Sequence, residues 1–249
     1  HAAAMHTVEI RKEIVDRVLA RRGRYHLFDR LDPRKTAFVV VDMQSAFVEP
    51  GSPAEVPAAR GIIGAINRLA AEVRRLGGTV IWVTHANIHT RAGSDWAMFF
   101  ENFVAADVRQ RTIESLAPTA PGQKVWRDMR VDPGDVHVVK NRYSALIPGS
   151  SNLERVLRGL GIENLLVAGT KTNVCCEATG RDAMMMDFRV VMVSDCLAAL
   201  SDDEHRASLE TFIQQFGDVM TGDEVVAVLS ARPNRQPMAG DAPAQTGGG

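Results

Sequence analysis

The chain has 249 residues, 45% of them hydrophobic and 24% charged, with a formal net charge of -1. That length and balance suit one generous globular domain, exclude a disordered polymer, and leave no electrostatic case for nucleic acid or an anionic membrane as a partner. No apolar run approaches the ~20 residues needed to cross a bilayer, no charged-then-apolar leader suggests export, and three cysteines, two of them adjacent, suit a reducing, cytoplasmic setting better than a disulfide framework.

In chain order, His1 to Ala4 ahead of Met5 read as a remnant of recombinant expression and stand outside the fold reasoning. From Val8 to Arg21, Ile10, Ile14, Val18 and Leu19 recur at helical spacing among charges. This predicts an amphipathic helix, lying on the main body or on a neighbouring subunit, in a lead-in that runs to residue 35. Short apolar runs follow at Ala37–Val41, Val80–Val83, Val136–Val139, Leu165–Val167 and Val190–Val193. They are rich in β-branched residues and lack clean polar alternation, the mark of strands buried on both faces of a parallel sheet. Between them, Ile62–Leu76 carries a helical apolar stripe that stops at Gly77-Gly78. Ser151 with Glu154, Ser201 with Glu204 and Thr221 with Glu224 each predict a capping box opening a helix. A last short strand is expected at Asp218–Met220. Arg91–Met129, with Trp96, Phe99, Phe100 and Phe103 close together, is an excursion able to cover a pocket, and the tail from about Arg232 has the composition of a disordered segment. The alternation predicts a three-layer α/β/α domain over 36–231 with a mainly parallel sheet of about five to six strands.

Open parallel sheets bind ligands beyond the carboxyl ends of their strands. The polar residues following the apolar runs are Asp42; Thr84 and His85; Lys140; Gly169-Thr170-Lys171, leading to Cys175; and Ser194 with Asp195. With Asn173 as N-cap, Cys175 falls in a first helical turn, where the helix dipole favours a thiolate. Two triads are then open: Cys175 with His85 and a carboxylate, or Cys175 with Lys140 and Asp42. Asn87, Trp96 and Tyr143 are candidate substrate contacts. His85 and His89, four apart with no evident helix, read as pocket-lining or surface residues rather than metal ligands. Cys176 and Cys196 read as small buried hydrophobes, Met184, Met185 and Met186 as core filler, and Asp195 as a turn residue.

The segments VVVDMQ (Val39–Gln44), VVKNRYSAL (Val138–Leu146) and VAGTKTNVCCEATGRDA (Val167–Ala183) together resemble the isochorismatase-like cysteine hydrolase superfamily, from about Thr36 to Leu229, in its ureidoacrylate amidohydrolase type. The resemblance implies Asp42 as general base, Lys140 as the cation that stabilises the sulfur, and Cys175, rather than Cys176, as nucleophile. It further implies an oxyanion hole from the backbone N–H groups of Lys171 and Cys175, with a cis peptide at Thr170-Lys171. The implied activity is hydrolysis of a linear C–N amide, of carbamoyl, ureido or primary-amide type, through a thioester that releases ammonia or an amine. The stretch VTHANIHTRAGSDW lacks the Asp-x-His spacing of the metal-binding nicotinamidase branch, so no metal and no cofactor are expected. Family members usually assemble, so a homo-oligomer, dimer or tetramer, is expected. Two rival functions stay open: vinyl ether hydrolysis, which needs a proton donor but no thiol, and non-catalytic ligand binding on the same fold.

Overall fold

The computed structural model describes residues 5–233. The leading four residues and the tail beyond Pro233, for which disorder was expected, lie outside the described residues.

The chain opens with helix α1 (Lys12–Arg22), then strand β1 (Thr36–Val41), the single turn α2 (Ser45–Val48), α3 (Ile63–Arg75) and β2 (Thr79–His85). A small hairpin, β3 (His89–Thr90) and β4 (Gly93–Ser94), leads into α4 (Ala97–Asn102) and α5 (Arg109–Ser115). Then come β5 (Val136–Lys140), α6 (Leu153–Gly159), β6 (Asn164–Thr170), a π-helical turn at Thr172–Cys176 and α7 (Glu177–Met185). The series closes with β7 (Arg189–Ala198), α8 (Asp202–Gln215), β8 (Asp218–Met220) and α9 (Gly222–Ser230).

Six strands form one sheet in the order β5-β2-β1-β6-β7-β8, and every pairing in it is parallel. The unbroken apolar runs follow from this. Val39, Val41, Leu165 and Val167 point into a core shared with α1, α6, α7 and α8, while Phe38, Val40, Leu166 and Ala168 point into a second core under α3 and α9. With both faces covered, a strand needs no polar alternation. Each large side chain so buried contributes about 1.5–3 kcal/mol.

Several elements differ from the sequence expectation. The strands run past their apolar cores: Thr84 and His85 lie within β2, Thr170 within β6, and Ser194 and Asp195 within β7. Backbone pairing continues there, Thr84 opposite Val139 and His85 opposite Lys140, because the ladder is made by peptide groups and is indifferent to side-chain polarity. Asp195 is thus a strand residue whose carboxylate accepts from the Gly222 N–H at the start of α9, 2.8 Å away. Ser151 does not open a capping box; its hydroxyl donates to the Ala145 carbonyl and accepts from the Leu153 N–H, and the position before α6 is Asn152. Ser201 caps α8, and Thr221 with Glu224 forms the full capping box of α9. Met184 and Met185 are exposed at the end of α7, with only Met186 packed on the core.

Helix α1 lies on the main body of its own chain. Ile14 and Val18 are buried in the first core, and Arg11, Arg17 and Arg22 bond Glu210, Gln214 and the Ile213 carbonyl of α8. One glycine is dictated by close approach. Gly169, at φ +110, sits so near β1 that a Cβ would fall 2.0 Å from the Val41 carbonyl oxygen. Consecutive strands run outward from β1 through β2 on one side and from β6 through β7 on the other, so the switch point lies between β1 and β6.

Candidate active site

The carboxyl ends of β1, β2, β5 and β6 deliver Asp42, His85, Lys140 and the turn bearing Cys175 to that switch point. Asp42, His85 and Cys175 line one cavity of about 290 Å³, and Lys140 lies enclosed behind Asp42 and His85.

Asp42 leaves β1 at φ +55, a left-handed conformation that Asp tolerates, and its N–H bonds the Val83 carbonyl. The carboxylate is almost wholly buried, and its Oδ2 lies 3.1 Å from Lys140 Nζ. Lys140 is fully enclosed; its ammonium also donates to His85 Nδ1 at 3.1 Å and to the Arg142 carbonyl at 2.9 Å. Two of the amine's three N–H donors are thereby committed, and the ammonium meets Asp42 as an ion pair. Burial alone would lower its pKa, but Asp42 and Cys175 more than offset that and raise it, so the amine stays charged. The Asp42 carboxyl is raised by the same burial, which Lys140 and the Cys175 thiol only partly counter. Despite the ion pair, neither Asp42 oxygen receives a well-aligned hydrogen bond from any described residue. A buried carboxylate with open lone pairs is built to take a proton.

Cys175 is buried at the floor of the cavity beside that carboxylate. The expected thiolate is opposed by burial. Burial pushes the thiol up to about 12; Lys140 lowers it, but the Asp42 charge opposes Lys140. The helical start differs too. Cys175 lies in a π turn that begins at Thr172, Asn173 does not cap it, and the Val174 and Cys176 amides both donate to the Lys171 carbonyl at 3.2 Å. The Thr170–Lys171 peptide is cis. Cys176 and Cys196 are fully buried thiols away from the cavity lining.

His85 lines the cavity and packs on Trp96, ring centroids 5.7 Å apart. Its pKa is held well below the ordinary value by burial and by Lys140, so the ring is neutral. Accepting from Lys140 at Nδ1 leaves the proton on Nε2, which donates to Asn87 Oδ1. The imidazole is thus turned to Lys140, and the structure assembles Cys175 with Lys140 and Asp42 while His85 buttresses the lysine.

Of the candidate substrate contacts, Trp96 and Tyr143 line the cavity, edge to face at 4.8 Å. Asn87 does not. It is wholly buried behind His85, donating to Asp95 Oδ1 and the Asn141 carbonyl, because β2 ends at His85 and the chain turns inward, the Asn87 N–H taken by the Leu116 carbonyl.

Two supporting groups escaped sequence reasoning. The Gln44 side chain accepts from the His85 N–H at 2.6 Å and donates to the His85 carbonyl at 2.9 Å, extending the sheet by one amide and fixing β2 against β1. Its only signal was a place in a quoted motif. His205, buried on α8, pairs its Nδ1 with the Thr172 hydroxyl at 2.8 Å. Burial, then His6, lowers its pKa to about 4, so the ring is neutral and Nδ1 can accept from Thr172. His6 stacks on this ring at 4.4 Å and accepts the Ala199 N–H at 2.9 Å. Nothing in the sequence marks a histidine on the inner face of a helix as the support of a turn 30 residues earlier.

Comparison with known proteins places this geometry in context. The isochorismatase domain model matches residues 36–224. A protein of Arabidopsis thaliana named a probable inactive nicotinamidase is 30% identical over 177 residues, covering 71% of this chain and 87% of its own length. The ureidoacrylate amidohydrolase RutB of Rhizobium rhizogenes is 30% identical over 212 residues, covering 80% and 85%. Among solved structures, a cysteine hydrolase from Pseudomonas syringae pv. phaseolicola superposes with a TM-score of 0.70 at 30% identity, over 80% of this chain and 94% of that one.

Proposed function

The chain belongs to the isochorismatase family, and on that premise we propose that it hydrolyses a linear, non-peptide C–N amide bond through a thioester on Cys175. Relatives named as amidohydrolases support the reaction class. The observation that carries the residue roles is the Asp42 carboxylate: buried, ion-paired to Lys140, lacking any aligned donor, and lining the same cavity as the Cys175 thiol.

With the thiol near 12 at rest, proton removal and attack are coupled. Asp42 takes the thiol proton as the sulfur bonds the substrate carbonyl carbon. The backbone N–H groups of Lys171 and Cys175 hold the resulting oxyanion. Lys140 keeps Asp42 ionised in the free enzyme and counters the negative charge while it passes through sulfur; its raised pKa makes it an electrostatic partner and not a proton source. Protonated Asp42 then gives its proton to the leaving nitrogen, the C–N bond breaks, and ammonia or an amine departs. Asp42, again ionised, draws a proton from water as water attacks the thioester, and the proton returns to sulfur as the acid is released.

The test is ammonia release from primary amides and carbamoyl compounds, with mass spectrometry of the quenched enzyme for an acyl adduct on Cys175. Cys175→Ala and Asp42→Asn should each lose at least ~10³-fold in kcat. Undiminished turnover in Cys175→Ala would end the proposal. Vinyl ether cleavage, which needs no sulfur, would survive that substitution.

A further inference from the structure

The cavity above Cys175 has a charge layout that selects among amides, and the inference drawn from it rests on the thioester chemistry proposed above. Among the described residues, Lys171 is the one lysine that lines it, and no arginine does. Glu55 lines it as well. The Glu55 carboxylate is held below its ordinary range by the Gly51 N–H at 3.0 Å and by Arg60 at 2.7 Å. His85 is neutral, and Asp42 with Lys140 forms a closed pair at the floor. Arg142, which could have reached in, is spent on the Asp95 and Asn141 carbonyls while its guanidinium lies 5.1 Å over the Trp96 ring. An anionic substrate would meet one ammonium and one fixed carboxylate, with no planar fork to grip it and a desolvation cost to bear.

The rest of the wall is apolar. Phe47 and Val56 contribute from beside α2, Phe99 and Val108 from the α4–α5 excursion. Phe103 and Leu200 come from separate segments, line the same cavity and are 71% and 58% exposed. Such surface gains about 25 cal/mol for each Å² that a ligand covers. Trp96 and Phe99 are stacked at 4.7 Å, with Tyr143 edge-on to both, making a compact aromatic cluster.

We infer that the substrate is an amide bearing a neutral apolar group, branched alkyl or aryl, and no carboxylate. The apolar group packs against this aromatic cluster and the apolar wall while the scissile carbonyl rests at Cys175.

The test uses a matched pair of primary amides, 4-methylpentanamide and succinamate, which differ by an isopropyl group in place of a carboxylate. The purified full chain should show kcat/KM at least ~10-fold higher for the neutral member, with 3-phenylpropanamide also accepted. Val108→Lys, on the wall away from the chemistry, should move the ratio toward succinamate by supplying a second cation. Equal or better use of succinamate by the wild type, abolished in Cys175→Ser, would overturn the substrate class and leave the thioester chemistry standing. Turnover of neither class, or turnover that survives Cys175→Ser, would overturn both.

Discussion

The reactivity of this site comes from what Lys140 does to Asp42. Both are enclosed, and the carboxyl is already raised by burial. Removing the ammonium would leave an unpaired buried carboxylate, a change that costs about 3–5 kcal/mol and is relieved by protonation. Lys140→Met should therefore lower kcat/KM by at least ~100-fold at neutral pH and move the acid limb of its pH profile upward. The sign follows from the roles: the base must be ionised in the free enzyme, so activity falls as pH drops through the raised Asp42 pKa. The wild-type limb should already lie above the ordinary carboxylate range, and a limb at or below 3.8 would contradict the assigned environment. Asp42, Lys140 and Cys175 were legible because each ends or follows an apolar run and stands in a motif. The state of the sulfur was not legible, since it depends on two opposing charges and a degree of enclosure that only the packed structure supplies.

At the scale of elements, the nucleophile's turn is held from behind by α8. His205 accepts from the Thr172 hydroxyl, Ser208 donates to the Thr172 carbonyl, and the His6 ring covers the pair. His205→Leu should lower kcat with little change in KM, because the displaced group is the turn and not a substrate contact. It should also cost about 1–3 kcal/mol of stability for the unmade buried bonds. His205→Asn, whose Oδ1 can stand in for Nδ1, should recover much of kcat. The pH behaviour separates the variants. His205 is held below its usual 6.5, at about 4, so the stability it contributes is complete above 6.5 and is lost as pH falls through about 4. Equilibrium unfolding across that window should show a shallower acid-side loss in His205→Asn than in the wild type. The same scale shows what the sequence could not disclose. Asn87 is a candidate substrate contact in the sequence, yet the inward turn after β2 buries it. Met184 and Met185 read as filler because they are apolar, yet α7 presents them to solvent.

Across the whole molecule, the architecture was the most legible level. Five runs of β-branched residues, their intervening helices and the short strand expected at Asp218–Met220 specify a parallel sheet covered on both faces; the structure places that last strand, β8, at one edge and lengthens most strands into their polar ends. The N-terminal arm is less legible, since an amphipathic stripe does not say whose surface it covers. Here His26 ties the arm to the body, pairing with Asp218 at 2.8 Å and Glu224 at 2.9 Å. Burial lowers its pKa, but these two carboxylates more than offset that and raise it above 6.5. Its contribution is complete below 6.5 and is lost as pH rises through the raised value. Thermal melting between about pH 6 and pH 9 should decline for the wild type and stay flatter for His26→Asn; parallel curves would remove this tie from the account.

The order of strands in the sheet has a consequence for how the enzyme assembles and fails. Lys140 ends β5, an edge strand bonded to β2 alone, with His137 and Val139 open to solvent on its outer side. Edge segments of this kind open at lower free energy than the interior of a sheet. Because Lys140 rides on that strand, turnover should report whether β5 is docked, and activity should be lost before global unfolding as denaturant is raised.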